Sequence, residues 1–139
     1  MTDEFPNARE LGIRSRAAVA AKDRDTWLSL FTEDAVVQDP IGPSPLDPSG
    51  AGQRGKTAIA AFYDNVIATS EATEFDMNQS YLCGDEVAEV GVIRITLAGG
   101  THQAIVRGVY TYRTDGAGKI AALRTFWESD AMEILEVGG

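Results

Sequence analysis

The segment AVVQDPIGPSP, residues 35–45, is an apolar, β-branched run that stops at an acid followed by proline. This pattern predicts a strand that ends in a constrained turn. If the strand alternates, Ala35, Val37 and Asp39 share one face, so the Asp39 carboxylate continues an apolar row directed into the core or a cavity. Pro40 restricts Asp39 to extended geometry, as suits a positioned base. The alternative is that Asp39 only hydrogen-bonds the loop after it.

Two helices are predicted before this strand. From Pro6 to Lys22, apolar residues recur among arginines and a glutamate at the spacing of an amphipathic helix. Asp25 is the expected N-cap of a second, shorter helix. That helix places Trp27 and Phe31 on or near one side.

After the strand, the segment from Ile41 to Arg54 is rich in proline and glycine and is expected to be a loop of about 14 residues. A loop of this length within one domain usually serves a site or an interface. Thr57 is then the expected cap of a third helix. The apolar residues at helical spacing in it are Ile59, Phe62, Tyr63, Val66 and Ile67.

The second half of the chain changes to a period of two, which indicates an antiparallel meander. The predicted strands are Glu74–Leu82, Glu86–Leu97, His102–Arg113 and Lys119–Trp127. In the third of these, the even positions are apolar or aromatic and should face inward: Ala104, Val106, Gly108, Tyr110 and Tyr112. In the fourth, Ile120, Ala122 and Phe126 share one face with Arg124, and the charge of Arg124 predicts that this is the outer face. Helices first and strands afterwards favour an α+β fold in which a curved sheet wraps the three helices.

Composition narrows the function. A chain of 139 residues fits a single domain, residues 1–139, and its net charge of −9 disfavours nucleic acid as a partner. Apolar runs fall far short of the ~20 residues of a membrane span, and the N-terminus lacks the features of a signal peptide, so we expect a cytoplasmic protein without membrane insertion. Cys83 and His102 are each the sole residue of their type. An intrachain disulfide is therefore excluded, and a transition-metal site is improbable.

A sheet folded around helices forms a cone whose mouth can stay open as a pocket. The inward set of residues places Asp39 in or near it with four aromatic side chains: Tyr63, Tyr110, Tyr112 and Trp127. Aromatic walls with a few polar groups suit a flat apolar ligand bearing one or two oxygens. The alternative is that the aromatic residues are only large core residues, an interpretation favoured for Tyr63 and Tyr112. His102 is expected at the surface without a role.

Three segments carry a resemblance to a known family. They are residues 25–45, with the step DPIG at 39–42; residues 55–65, GKTAIAAFYDN; and residues 106–127, which begin VRGVYTYR. The chain resembles the ketosteroid isomerases of the nuclear transport factor 2-like, SnoaL-like superfamily, especially their actinobacterial branch. The resemblance implies a cone-shaped, cystatin-like α+β barrel, commonly a homodimer, that acts on a small apolar polycyclic ketone without a cofactor or metal.

In that family, the acid at the position of Asp39 takes a proton from the carbon beside the 3-ketone and returns it two carbons away. The family's oxyanion hole consists of a tyrosine and a protonated aspartate. Counting without gaps, these positions hold Ser15 and Tyr110 in this sequence. Trp127 falls on a substrate-packing aromatic residue, and Tyr63 on the tyrosine that supports the one replaced by Ser15.

The resemblance therefore implies a steroid Δ5-isomerase with Asp39 as base and Tyr110 as the oxyanion donor. The expected substrate contacts are Ser15, Phe62, Tyr63, Tyr112 and Trp127. Losing one preorganised donor costs roughly 3 to 4 kcal/mol, or a hundred to a thousandfold in rate, so the altered hole can make the enzyme slow.

Two alternatives stay open. One is a steroid- or polyketide-binding protein that kept the pocket and lost catalysis together with its oxyanion hole. The other is a SnoaL-like enzyme that uses the same base for enolisation or dehydration of a different ketone. The fold alone does not separate these, because one scaffold hosts many activities. An adaptor role is the weakest interpretation, since it leaves the buried acid without a purpose.

Overall fold

The computed structural model describes residues 4–137 and has the α+β architecture predicted from the sequence. The helices are α1 (Ala8–Ala20), α2 (Arg24–Ser29) and α3 (Lys56–Phe62); α3 continues into a π-helical turn (Tyr63–Ile67), and a 3₁₀ turn follows later (Ser129–Ala131). The strands are β1 (Phe31–Gln38), β2 (Gln53–Arg54), β3 (Ala72–Cys83), β4 (Glu86–Thr96), β5 (His102–Thr114), β6 (Ile120–Phe126) and β7 (Glu133–Glu136).

The caps of α2 and α3 differ from the prediction. Asp23, and not Asp25, caps α2: its side chain accepts a hydrogen bond from the backbone N–H of Thr26 at 3.2 Å. The position of Asp25 within the first turn suits a negative charge near the helix N-terminus. At α3, Gly55 occupies the N-cap position without a side-chain bond, and Thr57 already lies inside the helix.

One curved sheet contains all seven strands. Its order is β2-β1-β6-β5-β4-β3, and β7 pairs with the first part of β5. The antiparallel meander from β3 to β6 is confirmed, and the sheet as a whole is mixed because β1 runs parallel to β6. The chain between these two strands contains α3 and four other strands, a connection long enough for parallel pairing. The short strands β2 and β7 were not predicted.

Two glycines face each other in the middle of the sheet, Gly91 on β4 and Gly108 on β5. A Cβ atom on Gly91 would lie 2.2 Å from the carbonyl oxygen of Asp76, and one on Gly108 would lie 2.3 Å from that of Phe126. Neighbouring backbone therefore approaches closely on both sides of the pair, and β3 has an irregular register next to it. Glycine at both positions permits the curvature that turns the sheet into a cone.

The core lies between the concave face of the sheet and the helices. Ala35 and Val37 are buried, which confirms the alternation predicted for β1. The inward face predicted for β5 is confirmed by the burial of Val106, Tyr110 and Tyr112.

The outward assignment of Ile120 and Ala122 is wrong, because both are buried. The backbone N–H of Ile120 donates to the carbonyl of Leu30, so the start of β6 is enclosed beside the end of α2.

Candidate active site

A cavity of about 660 Å³ lies between the sheet and the helices. Its wall is mostly aliphatic and aromatic, with a few polar side chains. This volume and this mixture are typical of sites for small molecules. Of the residues expected at the site, the structure places six on the cavity wall: Ser15, Asp39, Phe62, Tyr110, Tyr112 and Trp127.

Asp39 follows β1 directly and is held by side chains of the neighbouring strand. Its Oδ1 accepts a hydrogen bond from Thr125 Oγ1 at 2.6 Å and another from Trp127 Nε1 at 2.7 Å. Within residues 4–137, Oδ2 has no hydrogen-bond partner. The carboxylate is therefore anchored to β6 and its continuation, not to the loop after it, and one oxygen stays available for a proton.

Tyr110 lies next to this carboxylate and is buried. It faces Thr125 across the β5–β6 pair, and its hydroxyl donates to the carbonyl of Val106, four residues earlier on the same strand, at 2.9 Å. Burial raises the pKa of Tyr110, and the charge of Asp39 raises it further. The phenol therefore stays protonated at neutral pH and remains a donor.

Ser15 is buried on α1. A serine inside a helix often bonds a backbone carbonyl of its own helix, but the Oγ of Ser15 accepts a hydrogen bond from Trp27 Nε1 at 3.0 Å. Trp27 in turn packs against Phe31, with ring centroids 4.8 Å apart. The serine thus ties the first helix to the aromatic core.

Tyr63 is the expected site residue that lies away from the cavity wall. Its ring packs against Trp27 with a centroid distance of 5.6 Å, and burial raises its pKa. The structure therefore agrees with the core interpretation of Tyr63. Tyr112 combines both roles, because it is buried and also lines the cavity.

An ion pair on the cavity side was missed by the sequence analysis. Arg16 on α1 pairs with Glu89 on β4, and their side chains are only 12% and 4% exposed. The guanidinium carbon also lies 5.6 Å from the ring centroid of Tyr112. Glu89 shares the inward face of β4 with Val87, so it breaks the apolar pattern as Asp39 does. The argument that identified Asp39 could have found it.

The two acids are connected by a polar row across the inner face. Glu89 on β4 faces Tyr110 on β5, which faces Thr125 on β6, which bonds Asp39. Adjacent strands lie about 4.8 Å apart, so the backbones of Glu89 and Thr125 are separated by roughly 10 Å. A fused ring system can span that distance.

Residues 4–137 contain no group of three His, Cys, Asp or Glu side chains that could hold a metal ion. His102 is exposed, as predicted from the sequence, and Cys83 is exposed as well. No helix in this range is long and apolar enough to cross a membrane.

Comparison with known proteins identifies the family of this chain. A family model described as a SnoaL-like domain matches residues 13–123, which is most of the chain. The chain belongs to the SnoaL-like family. The architecture of this SnoaL-like protein is accordingly the nuclear transport factor 2-like α+β cone.

Solved structures similar to this SnoaL-like protein include a Δ5-3-ketosteroid isomerase and a complex with estradiol-17β-hemisuccinate. The Δ5-3-ketosteroid isomerase from Mycobacterium sp. is 38% identical, with a TM-score of 0.86 over 92% of this chain and 98% of the isomerase. Rv0760c from Mycobacterium tuberculosis, in complex with estradiol-17β-hemisuccinate, is 37% identical, with a TM-score of 0.84 over 91% of this chain and 97% of that protein. SalBIII, an epoxide hydrolase/cyclase-like enzyme of pyran ring formation in salinomycin, has a TM-score of 0.76 over 92% of this chain and 95% of its own, but its 19% identity supports the fold alone.

Proposed function

We propose that this SnoaL-like protein is a cofactor-independent isomerase that moves the Δ5 double bond of a 3-ketosteroid into conjugation with the ketone. The observation that carries this proposal is the Asp39 carboxylate on the wall of an apolar cavity, anchored through Oδ1 and free at Oδ2. The similarity to a Δ5-3-ketosteroid isomerase supports the choice of substrate class.

The proposed reaction is an intramolecular proton transfer. Oδ2 of Asp39 takes a proton from the carbon between the ketone and the double bond, and the electron pair of that C–H bond moves toward the ketone oxygen to give a dienolate. Asp39 then returns the proton two carbons away. Thr125 and Trp127 can keep their bonds to Oδ1 in both protonation states, so the carboxyl group keeps its orientation throughout.

Tyr110 is the proposed donor to the dienolate oxygen. It reaches this role by turning its hydroxyl proton from the Val106 carbonyl toward the ligand. Its raised pKa keeps that proton in place at neutral pH. Phe62, Tyr112 and Trp127 are the proposed apolar contacts of the steroid rings, and Ser15 a second, weaker donor. Tyr63 acts, in this proposal, by supporting Trp27 from behind.

The test is conversion of a Δ5-3-ketosteroid to the conjugated enone, followed by ultraviolet absorbance. Asp39→Asn should lower kcat about a thousandfold because the base is lost. Tyr110→Phe should lower it about a hundredfold if the phenol is the main donor. Asp34→Asn is the matched control, since Asp34 is an exposed acid on β1. Equal rates in the wild type and the Asp39 variant would contradict the proposal.

A second candidate function is steroid binding without turnover. The hydrogen bond from Tyr110 to Val106 favours it, because the expected oxyanion donor already has a backbone acceptor. The similarity to Rv0760c, a protein whose structure contains a bound steroid ester, is compatible with it. Tight binding of a planar phenolic steroid without conversion of the ketone would decide for this function.

We also propose that the protein is a homodimer that pairs through the outer face of the sheet. That face has a shallow depression lined by three valines together with Asn78 and Arg107, beside the half-exposed ring of Phe126. The valines are Val90, Val92 and Val109. Light scattering should give twice the chain mass, and Phe126→Glu should shift the distribution toward monomer. A wild type that stays monomeric at high concentration would exclude this assembly.

A further inference from the structure

We propose that the ligand carries an uncharged aliphatic chain at the end remote from its ketone, and that this chain lies against the apolar mouth of the cavity. The inference deepens the proposed function: it rests on a ketosteroid beside Asp39, and it states which steroids fit. Three observations support it. The cavity extends from Asp39 farther than four fused rings reach, its far wall is apolar and only partly covered, and exposed apolar side chains border its mouth.

The direction of the ring system follows from the closed end of the cavity. One rung of the sheet beyond the Tyr110–Thr125 pair, Tyr112 faces Leu123, and both are buried and line the cavity. Trp27 is buried and lines the cavity as well, and all three residues belong to the core. A rigid ring system whose reacting carbon lies beside Asp39 therefore extends the other way, along β4 and β5 toward the mouth.

The wall on the open side is long. Tyr110 lies at the level of Asp39, because it faces the threonine that bonds this acid. Toward the mouth, β5 continues to line the cavity at Val106 and at Ala104, six positions before Tyr110. At the rise of a strand, six residues correspond to about 20 Å, roughly twice the length of four fused rings. Rings anchored beside Asp39 therefore leave the outer part of this wall uncovered.

The outer part of the wall is apolar. Two successive rungs of the sheet line the cavity there, the first formed by Phe75, Ile93 and Val106, and the second by Thr73, Ile95, Ala104 and Ile134. Ile93 and Ile95 are only partly buried, although they share the inner face of β4 with the fully enclosed Val87. The hydroxyl of Thr73 lies 3.4 Å from that of Ser70, within hydrogen-bond distance. Such a surface suits an aliphatic group better than water.

Three exposed apolar side chains from separate segments border the mouth. Leu46 lies in the loop between β1 and β2, Met132 follows the 3₁₀ turn, and Ile134 is on β7. Their exposed fractions are 46%, 37% and 50%, and all three line the cavity. Single exposed apolar residues are ordinary, but a group of them around an opening marks a binding surface. Because this surface continues the apolar wall, the part of the ligand beyond the rings is its proposed occupant.

The charge near the mouth favours an uncharged chain. The segment 128–136, which forms one side of the opening, carries four acids: Glu128, Asp130, Glu133 and Glu136. Glu133 pairs with Arg107, and on the helix side of the cavity Lys22 donates to the carbonyl oxygen of Ser70. Negative charge therefore predominates on the side that supplies β7. A carboxylate at the end of the chain would be repelled there.

The test compares three Δ4-3-ketosteroids that differ only at the far end. Androst-4-en-3-one has no side chain, 3-oxochol-4-en-24-oic acid has a branched chain that ends in a carboxylate, and the methyl ester of that acid has the same chain without the charge. All three already carry the conjugated enone, so titration calorimetry measures binding without turnover. Burying one methylene raises affinity about fourfold, so the wild type should bind the ester about 10- to 50-fold more tightly than the chainless steroid. The acid should bind more weakly than the ester.

The variants change the mouth and leave the core intact. Met132→Gln together with Ile134→Thr replaces two exposed apolar side chains by polar ones of similar shape. Leu135→Gln is the matched control, because Leu135 lies on the same strand and is 45% exposed but does not line the cavity. The double variant should bind the ester and the chainless steroid within about threefold of each other, and Leu135→Gln should keep the wild-type ratio. Circular dichroism and thermal unfolding establish that both variants are folded.

The outcomes separate this inference from the isomerase proposal. A wild type that converts a Δ5-3-ketosteroid but shows no preference for the ester over the chainless steroid overturns the inference and leaves the isomerase proposal intact. A wild type without turnover, but with a preference that the double variant loses, supports the chain site while the isomerase proposal fails. Tighter binding of the acid than of the ester overturns the uncharged chain.

Three further results would overturn the inference. A preference for the ester that survives in the double variant places the chain elsewhere. A double variant with a lower mass than the wild type and Leu135→Gln in light scattering shows that a second copy of the protein covers the mouth. A wild type that binds none of the three steroids has no site for such a ligand.

Discussion

The two ends of the polar row hold their acids in opposite ways. Asp39 is bound by two neutral donors, Thr125 and Trp127, and one of its oxygens is free. Glu89 is bound by a cation, Arg16, and both are almost fully enclosed. Oδ2 of Asp39 is therefore open to a ligand in the cavity, whereas the charge of Glu89 is already balanced by the guanidinium. The hydrogen-bond partners of each acid, more than its burial, therefore distinguish the proposed base from the paired acid.

The largest expected effect comes from breaking the pair at the Arg16 end. Arg16→Met alone should lower the free energy of unfolding by about 3 to 5 kcal/mol, because it leaves Glu89 buried without its cation. The double variant with Glu89→Met should recover most of that loss. Urea denaturation at neutral pH measures both. A single variant as stable as the wild type would mean that Glu89 has access to water or another donor.

A smaller effect is expected from making the Asp39 end resemble the Arg16 end. Trp127→Arg places a cation where the indole N–H now donates, so kcat should fall about a hundredfold as proton abstraction becomes harder. Trp127→Phe removes the hydrogen bond without adding charge and should cost less. If the two variants are equally slow, the loss comes from the missing indole and not from the charge.

A substitution at Ser15 tests whether this residue stabilises the fold or contacts the ligand. Ser15→Ala removes the acceptor of the buried Trp27 N–H, which should lower the free energy of unfolding by about 1 to 3 kcal/mol. Turnover should change little, since the main donors to the ligand remain. Denaturation and steady-state kinetics on the same sample check this. A large fall in kcat at unchanged stability would instead place Ser15 in direct contact with the ketone oxygen.

The smallest effect concerns pH. The pKa of Tyr110 is raised above its ordinary value of 10.0 by burial, so the folded state holds that proton more tightly than the unfolded chain does. The resulting stability is present below about pH 10 and is lost as pH rises above it. Tyr110→Phe should therefore flatten part of the alkaline decline in the free energy of unfolding. Tyr81→Phe, at an exposed position, should leave the decline unchanged.

The order of elements and the position of Asp39 were predictable because they depend on local patterns. Periodicity separated helices from strands, and the acid in an apolar row marked the end of β1. The same argument would have marked Glu89 on β4. Its partner Arg16 was beyond such reasoning, because an arginine on an amphipathic helix is by default a solvent-facing residue and its enclosure depends on which strand packs opposite.

Other features were not predictable from the sequence, because they depend on contacts between distant segments or on several residues that suit the same position. The parallel pairing of β1 with β6 joins segments that are far apart in sequence, and β7 is too short to show a period. The hydrogen bond from Tyr110 to Val106 depends on a rotamer chosen by the packed interior. The N-cap of α2 was predicted two residues too late because three residues of types that suit an N-cap lie close together there: Asp23, Asp25 and Thr26.

The absence of a side chain at Gly108 also affects Asp39, the proposed base. A Cβ atom there would lie 2.9 Å from the Cβ of Trp127, the residue whose indole bonds Asp39. The curvature of the cone and the orientation of the carboxylate are therefore set at the same point in the chain. A mutation that straightened the sheet here would also misdirect the base, so shape and reactivity cannot be altered separately at this residue.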